Sequence, residues 1–201
     1  MTPHETRTVK KVHDRSYFGW HWLQKARESH LEGDVFSGFF SGYVALICSA
    51  TQLMADSRTR GKILERNDET WERKAIEGAL RMRAREIAML VDSTNGQKIV
   101  NSLRLREIPG DSRSRITSTL GDPEFAAITG RLDSLWSPSR TSQLSGDEAT
   151  EHADACAYLL RRVRNRLFHG EKLNDPHGSD AELLDKLNPL LFEITEILLV
   201  H

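Results

Sequence analysis

Cysteine is scarce in this chain, neither sign of charge dominates, and the signals of strands, cofactor loops and secretion are missing. The two cysteines, Cys48 and Cys156, lie far apart within apolar runs. That argues for buried, reduced thiols in a reducing cytosol and against a disulfide framework. The 28 Lys+Arg against 29 Asp+Glu leave a formal net charge of −1. No molecule-wide basic field exists, so any polyanion must be held by a local patch. Residues 1–16 are polar and carry no apolar stretch of the kind a signal peptide needs. There is no convincing strand pattern, no internal repeat, no Walker loop, no glycine-rich dinucleotide turn and no GxSxG elbow. His13, His21 and His30 lack the tight spacing of zinc ligands. No metal and no cofactor are expected.

What is present is helical periodicity. With 201 residues, 38% of them hydrophobic, the chain has enough apolar surface for one buried core. The expectation is a single-domain, all-α bundle: a flexible N-terminal arm over 1–14, then one helical domain over 15–201. Tyr17, Phe18, Trp20, Trp22, Leu23 and Ala26 open a first amphipathic helix over Arg15–Leu31. Its tryptophans read as half-buried side chains or as a stacking platform for RNA bases. Asp34 is placed to cap a second helix that runs to Ser57. Val35–Ala55 holds no charge, which raises the question of a membrane span. Its Ser37, Ser41, Ser49, Thr51 and Gln52, and the acidic flanks Asp34 and Asp56, favour a central buried helix instead. No membrane association is expected, and the cytoplasm is the expected location. Gly38 and Gly42 permit close helix contact, either with a neighbour in the same chain or across a dimer face.

Trp71, Ala75, Ile76, Ala79, Leu80, Ile87 and Leu90 mark a third helix over Asp68–Val91, with Arg81, Arg83 and Arg85 spread around it as solvated charge. Segment 97–119 is broken at Pro109-Gly110-Asp111. Its Arg104, Arg106, Arg113 and Arg115 suit either a solvated loop or phosphate contacts. Asp122-Pro123 starts a further helix, and Ser137–Gly146 reads as a linker. Asp147 opens the next helix. Beyond it, Leu183, Leu184 and Leu187 make a short apolar turn, and Asn188-Pro189 starts the last helix, with Leu190, Leu191, Ile194, Ile197 and Leu198 as its buried stripe.

The helix opened by Asp147 leads into AYLLRRVRNRLFHGEK, Ala157–Lys172. At about 100° per residue, Ala153, Cys156, Ala157, Leu160, Val163 and Leu167 share one face with Arg164. An arginine on an apolar face needs an anion or acceptor, so a partner for Arg164 is expected. Asn165 and His169 share an adjacent, more polar face, and Gly170 is placed to stop the helix.

Arg164-Asn165, then His169 and Gly170, resembles the R-x4-H signature of the HEPN superfamily, a group of α-helical proteins. The resemblance covers Asp147–His201 and, more weakly, Asp34–Ser57, which looks like that family's first long core helix. It implies a homodimer in which paired motifs meet in a composite cleft. It also implies metal-independent endoribonuclease activity, a role in toxin–antitoxin or antiviral defence, and an antitoxin or regulatory protein as partner. Many members of the family act instead as non-catalytic dimerisation or nucleotide-binding modules, and that is the alternative for this chain.

The chemistry fits the residue types. RNA carries its own nucleophile, the 2′-hydroxyl, so cleavage needs a proton acceptor, a proton donor and positive charge on the phosphate. His169 suits proton transfer near neutral pH. Arg164 suits developing phosphoryl charge, and Asn165 suits orienting the phosphate or the imidazole. The products would be a 2′,3′-cyclic phosphate and a 5′-hydroxyl, with DNA spared. Arg161, Arg162, Arg166 and Lys172 are candidate RNA contacts. On an undisturbed helix Arg164 and His169 diverge by about 140°. Either the helix unwinds near Phe168 or two chains share the site.

Overall fold

The computed structural model describes residues 3–56, 70–92, 145–168 and 179–200. Among them every regular element is helical: α1 (Pro3–Leu31), α2 (Val35–Asp56), α3 (Trp71–Met82), α4 (Ala84–Asp92), α5 (Gly146–Phe168) and α6 (Ser179–Leu199). The all-α expectation is met. The segments 97–119 and 122–136, residues 137–144 of the linker, and the turn at Gly170 lie outside the described residues.

α1 and α2 form a hairpin whose turn is built from local hydrogen bonds. Gly33 takes a φ of +86°, open to glycine at no steric cost. Its N–H bonds to the His30 carbonyl, and the Asp34 N–H reaches back to Ser29. This pairing satisfies the end of α1 in a Schellman turn. Asp34 then caps α2, its carboxylate accepting the Ser37 N–H at 3.0 Å. Hydrogen bonding from Ser37 holds its carboxyl below the ordinary carboxylate range.

α2 is the central helix. Phe39, Tyr43, Leu46 and Ala50 are buried on it, and α1, α3 and α6 pack around it. It is the one described helix long and apolar enough to cross a membrane, and most of that run is buried inside the bundle. Gly38 and Gly42 explain the close packing: a Cβ at Gly42 would stand 2.8 Å from Phe192 and 3.0 Å from Leu191, and one at Gly38 would stand 3.3 Å from the Ala26 carbonyl. Of the two readings of this pair, the structure uses the intramolecular one. α5 packs on α3 and α4, and a single apolar cluster draws Leu23, Leu46, Leu80, Ile87, Leu160 and Leu191 from all six helices. Each such side chain contributes roughly 2 kcal/mol by leaving water.

Several boundaries differ from expectation. α1 begins at Pro3, not Arg15, so the segment expected as an arm is helical from Pro3. Proline suits a first helical position, and the run after it contains no glycine before Gly19 to break the helix. The third helix is two. It breaks at Arg83, whose N–H turns to the Leu80 carbonyl at 3.1 Å. The buried stripe Ile76, Leu80, Ala84, Ile87 runs straight through that break, so apolar spacing could not register it. In the opposite sense, α6 is continuous through Pro189, where a restart was expected. The buried Asn188 just before the proline donates to the Val35 carbonyl at 2.9 Å. That bond ties α6 to the start of α2 where the proline removes a bond of the helix itself. Cys156 is fully buried as expected, but Cys48 is only half-buried. Trp20 is exposed and Trp22 packs against the core.

Candidate functional site

The motif helix starts at Gly146 under a reciprocal cap that the sequence spells as Ser-x-x-Glu. The Glu148 N–H donates to Ser145 Oγ at 3.2 Å, and the Ser145 N–H donates to the Glu148 carboxylate at 2.9 Å. From there α5 buries Ala149, Ala153, Cys156, Ala157, Leu160 and Val163. Arg164, the next residue, is carried to where α5 meets α2 and α3.

Arg164 has the partner its position requires. Its Nη2 donates to Glu72 Oε2 at 3.3 Å, and its Nη1 donates to Asn165 Oδ1 at 2.9 Å. The guanidinium carbon lies 5.8 Å from the centre of the Tyr43 ring, within cation–π range. Tyr43 closes the group by donating its phenol to Glu72 Oε1 at 2.9 Å. One carboxylate thus accepts a phenol on one oxygen and an arginine on the other, with α2, α3 and α5 each supplying a side chain. Burial first, and then the Glu72 charge and hydrogen bond, push the Tyr43 phenol well above its usual range. The charges of Arg164 and Arg161 act against that rise. The phenol is therefore a fixed donor at any physiological pH.

The Arg164–Glu72 pair belongs to a ladder. Arg161 reaches Glu77 at 3.2 Å, and Arg81 grips Asp154 with two bonds of 2.6 and 2.8 Å. Along α3 the partners run 72, 77, 81, and along α5 they run 164, 161, 154, so the two helices lie antiparallel. Arg81 is exposed, as expected of solvated charge, and its fork also matches a carboxylate on the neighbouring helix. Arg161 is likewise engaged with Glu77.

Of the expected site residues, Arg164 and Asn165 are brought together, and Arg162 lies half-buried nearby on the same helix. The side chains of Arg166, His169 and Lys172 lie outside the described residues, although the backbone of α5 runs through Arg166 to Phe168. Among the described residues no group of three or more His, Cys, Asp and Glu is gathered as a metal site. Sequence reasoning missed Glu72 and Tyr43. Only part of the signal was available: Glu72 precedes Ile76 by one turn on the buried stripe of α3, and Tyr43 follows Phe39 by one turn on that of α2.

The chain matches no protein-family model, no curated protein and no solved structure. The resemblance to the HEPN signature therefore stands on the residues of the motif itself.

Proposed function

We propose that this chain is a HEPN-like, metal-independent endoribonuclease, with Arg164, Asn165 and His169 as its catalytic group. The observation that carries the reading is the pairing of Arg164 with Asn165, at 2.9 Å, near the C-terminal end of α5. The arginine side chain retains 27% exposure there, enough for a phosphate to reach it. In this reading Arg164 offsets charge on the crowded phosphate and Asn165 orients the arginine fork. His169, five residues on, moves protons between the 2′-hydroxyl and the leaving oxygen. Two chains pair through the motif face to bring both sets of residues into one groove. Arg162, Arg166 and Lys172 would then hold the RNA backbone, and a defence or toxin–antitoxin setting would supply a regulatory partner.

The test is cleavage of labelled single-stranded RNA in excess EDTA, with Arg164→Ala and His169→Ala as controls. Native cleavage that leaves a 2′,3′-cyclic phosphate, lost in both variants, is the expected result. Equal cleavage by native and variant chains would overturn the assignment.

One observation favours a second reading, a non-catalytic dimerisation or RNA-binding module. Arg164 is already ion-paired with Glu72, as a purely architectural arginine would be. That reading predicts no cleavage by any form of the chain and loss of partner or RNA binding in Arg164→Ala.

A further inference from the structure

An arginine that must meet a phosphate is usually left with its charge uncompensated, because charge is what it brings. Here the motif arginine shares a carboxylate, and that carboxylate is itself fixed. Glu72 is only 21% exposed at its side chain. It is fastened from the far side by the buried Tyr43 phenol at 2.9 Å, so it has little freedom to swing away from Arg164. The arginine is held at Nη2 by Glu72 and at Nη1 by Asn165, while its guanidinium carbon lies over the Tyr43 ring, 5.8 Å from the centre. A flexible side chain is thereby confined to one geometry before any substrate arrives. Such pre-organisation lowers the cost of reaching a transition state.

We propose that Glu72 is a positioning residue for the endoribonuclease reaction, acting through Arg164, with Tyr43 as its anchor. This rests on the ribonuclease reading above. The carboxylate trades some attraction for RNA against a fixed aim of the guanidinium at the scissile phosphate. Its geometric role and its charge are separable by substitution. Glu72→Gln keeps an oxygen acceptor toward Arg164 and removes the charge, whereas Glu72→Ala removes both.

The experiment measures kcat and KM for cleavage of a mixed-sequence, end-labelled RNA pool in excess EDTA. Binding of a 2′-O-methyl strand, which lacks the attacking hydroxyl, is measured by fluorescence anisotropy alongside. Glu72→Ala should lower kcat about 100-fold, the scale of a small misplacement of a reacting group, while binding the 2′-O-methyl strand at least as tightly as the native chain. Glu72→Gln should recover most of kcat and show a lower KM, since the competing charge is gone. Tyr43→Phe should lower kcat with unchanged binding, and it carries the test if Glu72→Ala does not fold. A purely structural Glu72 would lose kcat only in proportion to folded protein, with Glu72→Gln no better than Glu72→Ala. That result, or native kcat in Tyr43→Phe, overturns the proposal. If Arg164→Ala abolishes cleavage and the Glu72 and Tyr43 variants do not affect it, the positioning role alone falls. If the native chain cleaves nothing that Arg164→Ala does not, the ribonuclease reading falls and this role with it.

Discussion

Arg164 on α5 and Glu72 on α3 form an ion pair at 3.3 Å, with side-chain exposures of 27% and 21%, and Tyr43 holds the same carboxylate from α2. Three helices are tied at one point by groups that cannot be removed singly without leaving another unsatisfied. Arg164→Ala leaves the Glu72 charge half-buried with only a phenol to bond it. The expected loss is about 1–3 kcal/mol of unfolding free energy. Glu72→Ala should cost a similar amount. The double variant should cost less than the sum, and urea denaturation of all four chains gives the coupling. Additive losses would mean that the pair does not act as a unit.

The position of Arg164 was legible in the sequence because an arginine on an otherwise apolar face demands an acceptor. Glu72 and Tyr43 were legible only in hindsight. Each lies on the buried stripe of its own helix, yet nothing in a single chain's spacing says which stripes face one another. The same gap explains the boundary errors. Apolar periodicity reports the face that is buried, so it passes through the Arg83 break unmarked, while the proline rule treats Pro189 as a new start. The bond from Asn188 to Val35 that accompanies a continuous α6 joins residues 153 positions apart. By contrast, the Asp34 cap and the central burial of α2 depend on neighbours in sequence and on composition, and both were read correctly.

His152 supplies a pH dependence of known sign. It is fully buried on α5, and burial lowers its pKa to about 4 from the ordinary 6.5. Below pH 6.5 the unfolded chain takes up a proton that the folded chain refuses, so stability falls as pH falls. The loss levels off near pH 4, where the folded form also protonates, and amounts to about 3 kcal/mol. Urea midpoints measured from pH 7.5 to pH 4 should show this decline, and it should flatten in His152→Gln. An unchanged slope in that variant would assign the effect to other groups.

The same substitution should have opposite signs at two glycines. At Gly42 an alanine methyl group meets the Phe192 ring at 2.8 Å and Leu191 at 3.0 Å. Both neighbours are buried, so neither has room to retreat. Overpacking of about 1–3 kcal/mol should outweigh the helix-propensity gain of about 1 kcal/mol. At Gly146, in the first turn of α5, nothing stands within 4 Å of the added methyl. Gly146→Ala should therefore raise stability by about 0.5–1 kcal/mol. Thermal melts of the two variants, one below and one above the native chain, check the pair.

The two cysteines should separate by reactivity. Burial pushes the Cys156 thiol up to about 12 and closes it to solvent, whereas Cys48 is half-buried. A thiol-specific reagent at neutral pH should modify Cys48 in the native chain and reach Cys156 only on unfolding, because the thiolate is the reacting form. Mass spectrometry of the labelled peptides reads the result. Equal labelling of both cysteines in the folded chain would contradict the packing of α5.

Asn165 offers a way to test whether Arg164 meets RNA at all. Its Oδ1 accepts from Arg164 Nη1 at 2.9 Å, and an aspartate in its place would keep that acceptor while adding a charge. In the Asn165→Asp variant, Arg164 would be flanked by two carboxylates, the introduced one and that of Glu72, and would have no net attraction left for a phosphate. If the arginine contacts RNA, Asn165→Asp should weaken binding of a single strand. It should also make the dependence of log affinity on log salt shallower by about 0.7, the share of one phosphate contact. Asn165→Ala, which removes the acceptor without adding charge, should leave that slope unchanged. A slope that is the same in all three chains would place Arg164 away from the RNA and return it to its architectural partnership with Glu72.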